Sequence, residues 1–262
     1  MSTILHIYGP FSIQAFGLII VIGLCLFTIF LQKDPRSKKL FLQEQLSSIL
    51  LFAAAAGITG GRLLYVFENY DQMDSLWQTL HIWEGGFSIL GTVLAIITFL
   101  PLYLQKLKIP VVPFFDVVAI YAPLMQSISR IGCFVAGCCY GKPTQVAWAT
   151  IYRHKDCLAP LNCYLHPTQL YSSIMLLFVF LFMYFIVSKL YIKTGQLIST
   201  YLMCISVERF TNDFWRADRS FFTNFQIFGK LSIHQCIALF IFIIASLLFL
   251  HISFLGNKNK NK

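Results

Sequence analysis

Apolar positions along the chain fall into seven long runs, at 12–31, 45–67, 87–104, 114–135, 169–188, 197–215 and 232–254, with charge, proline and glycine collected between them. Crossing a hydrocarbon core of about 30 Å takes roughly 20 helical residues, and within that core a lone strand leaves its backbone groups unpaired. The pattern therefore predicts an all-α membrane protein of seven transmembrane helices. Three runs are interrupted: the second by Arg62, the fourth by Arg130 and Asp116, the sixth by Arg209 and Asp213. No repeat of fixed period and no long linker divides the chain, so residues 1–262 are expected to form one integral-membrane domain.

Composition agrees with this reading, since 57% hydrophobic and 12% charged residues lie far from the usage of soluble domains. The net charge of +9 is explained by its placement. Lys33, Arg36, Lys38, Lys39, Lys106, Lys108, Lys189, Lys193, Lys258, Lys260 and Lys262 all follow odd-numbered runs, whereas Lys142, Arg153, Lys155, Arg216, Arg219 and Lys230 follow even ones. Positive charge is retained on the cytoplasmic side, which predicts an N-terminus outside and a C-terminus in the cytoplasm. The remaining cationic character suits anionic lipid, and nothing basic and aromatic points to nucleic acid. Met1–Pro10 lacks the basic start of a cleavable signal peptide. Trp77 and Trp83, in the 68–86 connection, are expected to anchor at the interface.

The densest chemistry lies in Ser129-Arg130-Ile131-Gly132-Cys133-Phe134-Val135-Ala136-Gly137-Cys138-Cys139-Tyr140-Gly141. An ionisable group at membrane depth is costly and marks a functional site by default. Glycines admit close approach of backbone or ligand, and a guanidinium grips phosphate with two parallel hydrogen bonds. Arg62 and Arg209 sit at comparable depth. The competing explanation is structural, Arg62 pairing with Glu68 and Arg209 with Asp213 one turn on.

At this point five segments together resemble the prolipoprotein diacylglyceryl transferase family: Gly60-Gly61-Arg62-Leu63-Leu64-Tyr65, Trp83-Glu84-Gly85-Gly86-Phe87-Ser88, Arg130 to Gly141, His166-Pro167-Thr168-Gln169-Leu170-Tyr171, and Glu208-Arg209-Phe210 through Arg216. The resemblance implies a multi-pass enzyme of the bacterial inner membrane, with its active site toward the outer side. Its reaction would move the diacylglyceryl group of phosphatidylglycerol to the lipobox cysteine of a prolipoprotein and release glycerol phosphate. It implies no metal or organic cofactor, membrane lipids and the lipobox peptide as partners, and a monomer. Arg130, Arg209 and Gly141 match the family's phosphate arginine, late-helix arginine and closing glycine. Asp213 stands for a glutamate and is expected to orient Arg209; Arg62 is expected to assist at the phosphate. Departures from the family are Cys133 and Ala136 for asparagines, Cys138 for a glutamate, Leu90 for a histidine and Phe16 for a tyrosine.

The expected proton acceptor is His166 or a Cys138 thiolate, because a neighbouring arginine lowers a thiol pKa. The bland alternative is that Cys133 and Cys138 pack as small hydrophobes. Cys133, Gly137, Gly141, Gln169 and Tyr171 are expected to contact substrate, although Gln169 and Tyr171, two apart, cannot share a helical face. A metal at Cys133, Cys138, Cys139 and His166 is not expected, since no Cys-x-x-Cys pair is present. Cys25, Cys204 and Cys236 should be inert, Cys157 and Cys163 leave a disulfide open, and His234 should be a satisfied interface residue. The rival function is a membrane thiol-redox or lipid-binding protein that has lost the transfer reaction.

Overall fold

The computed structural model describes residues 4–8, 11–70, 86–154, 157–190, 193–217 and 231–258. Trp77, Trp83, Lys155, Arg219, Lys230, Lys260 and Lys262 lie outside the described residues. Two compact units are present, one of Gln32–Phe114 and one of Met1–Leu31 with Phe115–Lys262.

The 32–114 unit is built on a helical hairpin. A short helix α2 (Pro35–Leu40) opens with proline at its first turn, and Asp34 caps it by accepting from the Arg36 amide at 2.7 Å, as orphan N-terminal amides require. Two long helices follow, α3 (Gln43–Glu68) and α4 (Ile89–Lys106). Their seam is made of small residues. A methyl group at Gly60 would strike Ala95, one at Gly91 would strike the Gly60 carbonyl, and Thr92 Oγ1 donates to the Gly57 carbonyl at 3.0 Å. Between apolar helices in lipid there is no water to exclude, so close backbone approach and such hydrogen bonds hold the pair. Lower in the hairpin, the Phe52 and Tyr103 rings stack at 4.1 Å and Ser48 bonds the Tyr103 hydroxyl.

The other unit begins with an antiparallel hairpin, β1 (Ile4–Tyr8) and β2 (Phe11–Gln14), before α1 (Ala15–Lys33). The first apolar run is thus helical only from residue 15, because its opening residues pair as strand. Next come α5 (Val111–Ala136), a small sheet of β3 (Thr150–Ile151) and β4 (Tyr164–Leu165), and α6 (Thr168–Phe182). A π-helical turn at Met183–Val187 carries α6 into the short α7 (Ser188–Leu190). The unit closes with α8 (Gln196–Asn212) and α9 (Ile233–Lys258).

Polar pairs join these helices. Ser127 Oγ donates to the Ser173 carbonyl at 2.8 Å and Ser173 Oγ returns a bond to the Ser127 carbonyl at 2.9 Å. Asp116, the acidic residue that interrupts the fourth run, is a tertiary cap. It accepts the Gly195 amide at 2.6 Å and the Ile198 amide at 2.9 Å, at the start of α8.

Six helices have the length and apolar character to cross a membrane: α1, α3, α4, α5, the α6–α7 rod and α9. Helix α8, the expected sixth crossing, is shorter at 17 residues. It buries Ser199, Thr200, Ser206, Glu208 and Asn212. Its hydroxyls are satisfied by their own helix, Ser199 on Gly195, Thr200 on Gln196 and Ser206 on Leu202 at 2.7–2.9 Å, the pattern that lets Ser and Thr sit within apolar surroundings. Elsewhere the helices present large apolar side chains outward, among them Leu94, Ile97, Phe178, Phe240 and Leu247, in numbers that only lipid or a partner surface would cover.

Candidate active site

Helix α5 carries Arg130 to one end of the 1–31/115–262 unit and stops six residues later. The stop is local. Gly137 takes φ +73° and donates its amide to the Phe134 carbonyl at 3.3 Å, a left-handed helix end that glycine supplies at least cost. Cys139 follows with φ +59°, a conformation that side chains other than glycine, Asn and Asp rarely adopt.

The start of α6 grips this turn. Thr168 Oγ1 donates to the Cys139 carbonyl and Gln169 Nε2 to the Cys138 carbonyl, both at 2.7 Å. Tyr140 to Lys142 then runs between two other segments. The Gly141 amide bonds the His166 carbonyl at 3.1 Å, the Lys142 amide the Trp215 carbonyl at 2.7 Å, and the Ala217 amide the Tyr140 carbonyl at 3.1 Å. A methyl group on Gly141 would lie 2.5 Å from the His166 carbonyl oxygen and 2.8 Å from Thr168. Gly141 is therefore a packing necessity, and the same threading fixes Arg216 beside the turn.

Gln169 and Tyr171 diverge as their spacing requires. Gln169 reaches the cysteine loop and the Tyr152 hydroxyl at 3.3 Å. Tyr171 meets His166 Nδ1 at 3.1 Å and accepts from Trp148 Nε1 at 2.7 Å, with its ring edge on Trp215. Burial pushes the Tyr152 phenol up to about 12, so it remains a donor, to the Phe134 carbonyl at 3.1 Å.

Below the turn lies a cavity of about 290 Å³ between α5, α6, α8 and α9. Its polar wall includes Gln126, Ser129, Arg130, Glu208, Arg209 and His234. Two of the expected arginines thus face one space. Arg130 Nη1 also reaches Cys139 Sγ at 3.8 Å. Arg209 is half-buried and has no hydrogen-bond acceptor among the described residues. It forms no ion pair with Asp213, which is fully buried and takes the Ser232 hydroxyl instead; Ser232 in turn caps α9, accepting the Gln235 amide at 3.1 Å. The i, i+4 pairing of Arg209 with Asp213 is therefore not formed, because Asp213 is drawn to the start of α9. Glu208, buried at 5% exposure, accepts the Ser172 hydroxyl.

Sequence reasoning did not select Gln126, Glu208 or His234 for the site. Glu208 and His234 are each sequence neighbours of residues with an evident role, and only the convergence of three helices shows that they share a cavity. His166 and Cys138 do not line it. Arg62 belongs to the 32–114 unit, where its Nη1 donates to the Gly86 carbonyl at 2.9 Å and its guanidinium stands 5.5 Å from the Tyr65 ring centre. Glu68 receives the Ser88 hydroxyl at 3.5 Å.

Spacing argued against a metal-type cluster, yet the left-handed turn folds Cys138 and Cys139 back over Cys133, and the three Sγ atoms lie within 4.8 Å of one another. The thiol favoured as thiolate is Cys139, not Cys138. Hydrogen bonds from Cys133 and Cys138, with the Arg216 and Arg130 charges, hold Cys139 well below the ordinary thiol range, whereas contacts with Cys133 and Cys139 and burial push Cys138 up. Cys157 and Cys163 are both free thiols, and Cys25 faces outward from α1 instead of packing in a core.

Residues 2–251 match the family model described as prolipoprotein diacylglyceryl transferase. A phosphatidylglycerol–prolipoprotein diacylglyceryl transferase of Clostridium tetani is 32% identical over 252 residues, covering 95% of this chain and 97% of the relative. Proteins of the same name from Thermotoga maritima (32% identity, 86% of this chain, 78% of the relative) and Clostridium perfringens (31%, 93% and 92%) are similar over comparable spans. With a whole-length family match and relatives of this coverage, the chain belongs to the prolipoprotein diacylglyceryl transferase family.

Proposed function

We propose that this protein transfers the diacylglyceryl group of phosphatidylglycerol to the lipobox cysteine of prolipoproteins, in the bacterial cytoplasmic membrane. The observation that carries the reading for this chain is the convergence of Arg130 and Arg209 on one cavity. In the reaction the acceptor thiol forms a C–S bond to the terminal glyceryl carbon, the C–O bond to phosphate breaks, and glycerol phosphate leaves with the electron pair. The two guanidiniums on the cavity wall stabilise that departing charge.

The acceptor thiol must lose its proton as the C–S bond forms. Glu208, the one carboxylate on the cavity wall, takes it in this scheme, which replaces the earlier expectation of His166 or Cys138. Gly137, Gly141, Gln169 and Tyr171 act by holding the loop over the cavity, and Cys133 by packing beneath it. Asp213 positions the start of α9. In the same reading α8 is the seventh crossing, the N-terminus lies outside, and the whole chain works as one monomeric domain. At about 1.5 Å per residue α8 spans less than the hydrocarbon core, and the turn after it supplies the remaining depth.

The test is direct: purified protein incubated with phosphatidylglycerol and a lipobox peptide, the products read by mass spectrometry. A thioether-linked diacylglyceryl peptide, formed in step with glycerol phosphate, is the expected product. Thiol oxidation without lipid consumption would instead support the thiol-redox rival.

A further inference from the structure

We propose that Cys133, Cys138 and Cys139 form a three-thiolate binding site for a soft monovalent metal ion, copper(I). Their sulfurs already lie within 4.8 Å of one another. A metal–sulfur bond of about 2.3 Å sets the sulfurs of a planar three-coordinate site about 4 Å apart, so small side-chain movements close the ring. Cys138 Sγ, now 3.8 Å from the Cys133 carbonyl, needs only to turn inward.

The ligand number selects the ion. Thiolates favour copper(I), zinc and iron–sulfur clusters, but structural zinc takes four ligands and the clusters generally use four cysteines. Among the described residues no fourth ligand joins this group: His166 Nδ1 is engaged with Tyr171, and Cys157 and Cys163 fall outside it. Charge points the same way. One monovalent ion with three thiolates is a dianion, and the guanidiniums of Arg130 and Arg216 beside Cys139 balance it. Each sulfur gives up its proton as it bonds the ion, and no electron moves.

The site is also built before an ion arrives. Cys139 is held in a left-handed conformation, a strain that costs on the order of 1–3 kcal/mol and persists only where surroundings enforce it. The enforcing contacts are Thr168 and Gln169 on the two cysteine carbonyls, at 2.7 Å each. They hold the backbone that carries Cys138 and Cys139 beside Cys133.

The test titrates the full-length protein in detergent, under ascorbate, with copper(I) against a chromogenic copper(I) chelator. One ion per chain should be withheld from the chelator, with three sulfur neighbours by X-ray absorption. Cys133→Ser, Cys138→Ser and Cys139→Ser should each weaken binding by more than the roughly 10–100-fold that outer-shell changes cost, while Cys157→Ser with Cys163→Ser should leave it intact. Copper(I) should also shield these three cysteines of the unmodified protein from alkylation, mapped by mass spectrometry, a readout that does not depend on variant folding. Surrender of the ion by the unmodified protein, alkylation of the three thiols despite copper, or tighter retention of zinc(II) would overturn the proposal.

Discussion

Arg130 combines a charge with a shape, and the two are separable by substitution. Lysine keeps the charge but loses the two-pronged grip on phosphate, so Arg130→Lys should lose most transfer. Arg130→Ala should lose on the order of 100–1000-fold, the usual consequence of deleting one donor to a developing anion. Near-normal turnover by Arg130→Ala at normal protein level would remove it from the mechanism. Glu208→Gln is sharper, because the amide can still receive the Ser172 hydroxyl but cannot take a proton. Its rate should fall by about 100-fold or more with phosphatidylglycerol affinity unchanged; a variant that loses affinity with an intact rate would make Glu208 a binding residue. The arginines were legible in sequence because a cation inside an apolar run has few explanations. Glu208 was not, because its function depends on which face of α8 meets α5 and α9. The Asp213 reading failed for a related reason: an i, i+4 spacing offers a partner, and Ser232, 19 residues on, offered a better one.

Among the elements, the α3–α4 hairpin makes the plainest mechanical claim. Gly60 and Gly91 touch backbone to backbone, so Gly91→Val must push the helices apart. Overpacking of this kind costs typically about 1–3 kcal/mol, and the variant should show a lowered unfolding midpoint in detergent, with Leu94→Val, on the exposed face of α4, as the near-neutral control. Equal midpoints for the two would mean that the seam is loose. The apolar runs revealed most helices to within a few residues, since lipid imposes length and polarity together. They did not reveal the β1–β2 hairpin, whose residues continue an apolar run while pairing as strand, nor the π-helical turn at 183–187, which alters hydrogen bonding without altering hydropathy.

For the whole molecule, the placement of lysine and arginine argues for the N-terminus outside. Impermeant thiol reagents applied to intact cells should label Cys163, which is exposed, and leave a cysteine engineered at Ser37 unlabelled until the membrane is opened. The reverse pattern would invert the topology. Six of the seven expected apolar helices could be read from the chain, whereas the three-thiol cluster could not, because only a left-handed turn brings those positions together. The Asp116 cap has a consequence for biogenesis. The amides that open α8 are satisfied by a carboxylate 79 residues earlier, and a helix start buried within the protein has no water to turn to. During synthesis α5 must therefore be seated before α8 can settle, which makes the emerging chain assemble in a fixed order. Halting translation at successive lengths should show α8 protease-sensitive until it reaches α5, and in Asp116→Ala that sensitivity should persist in the finished chain.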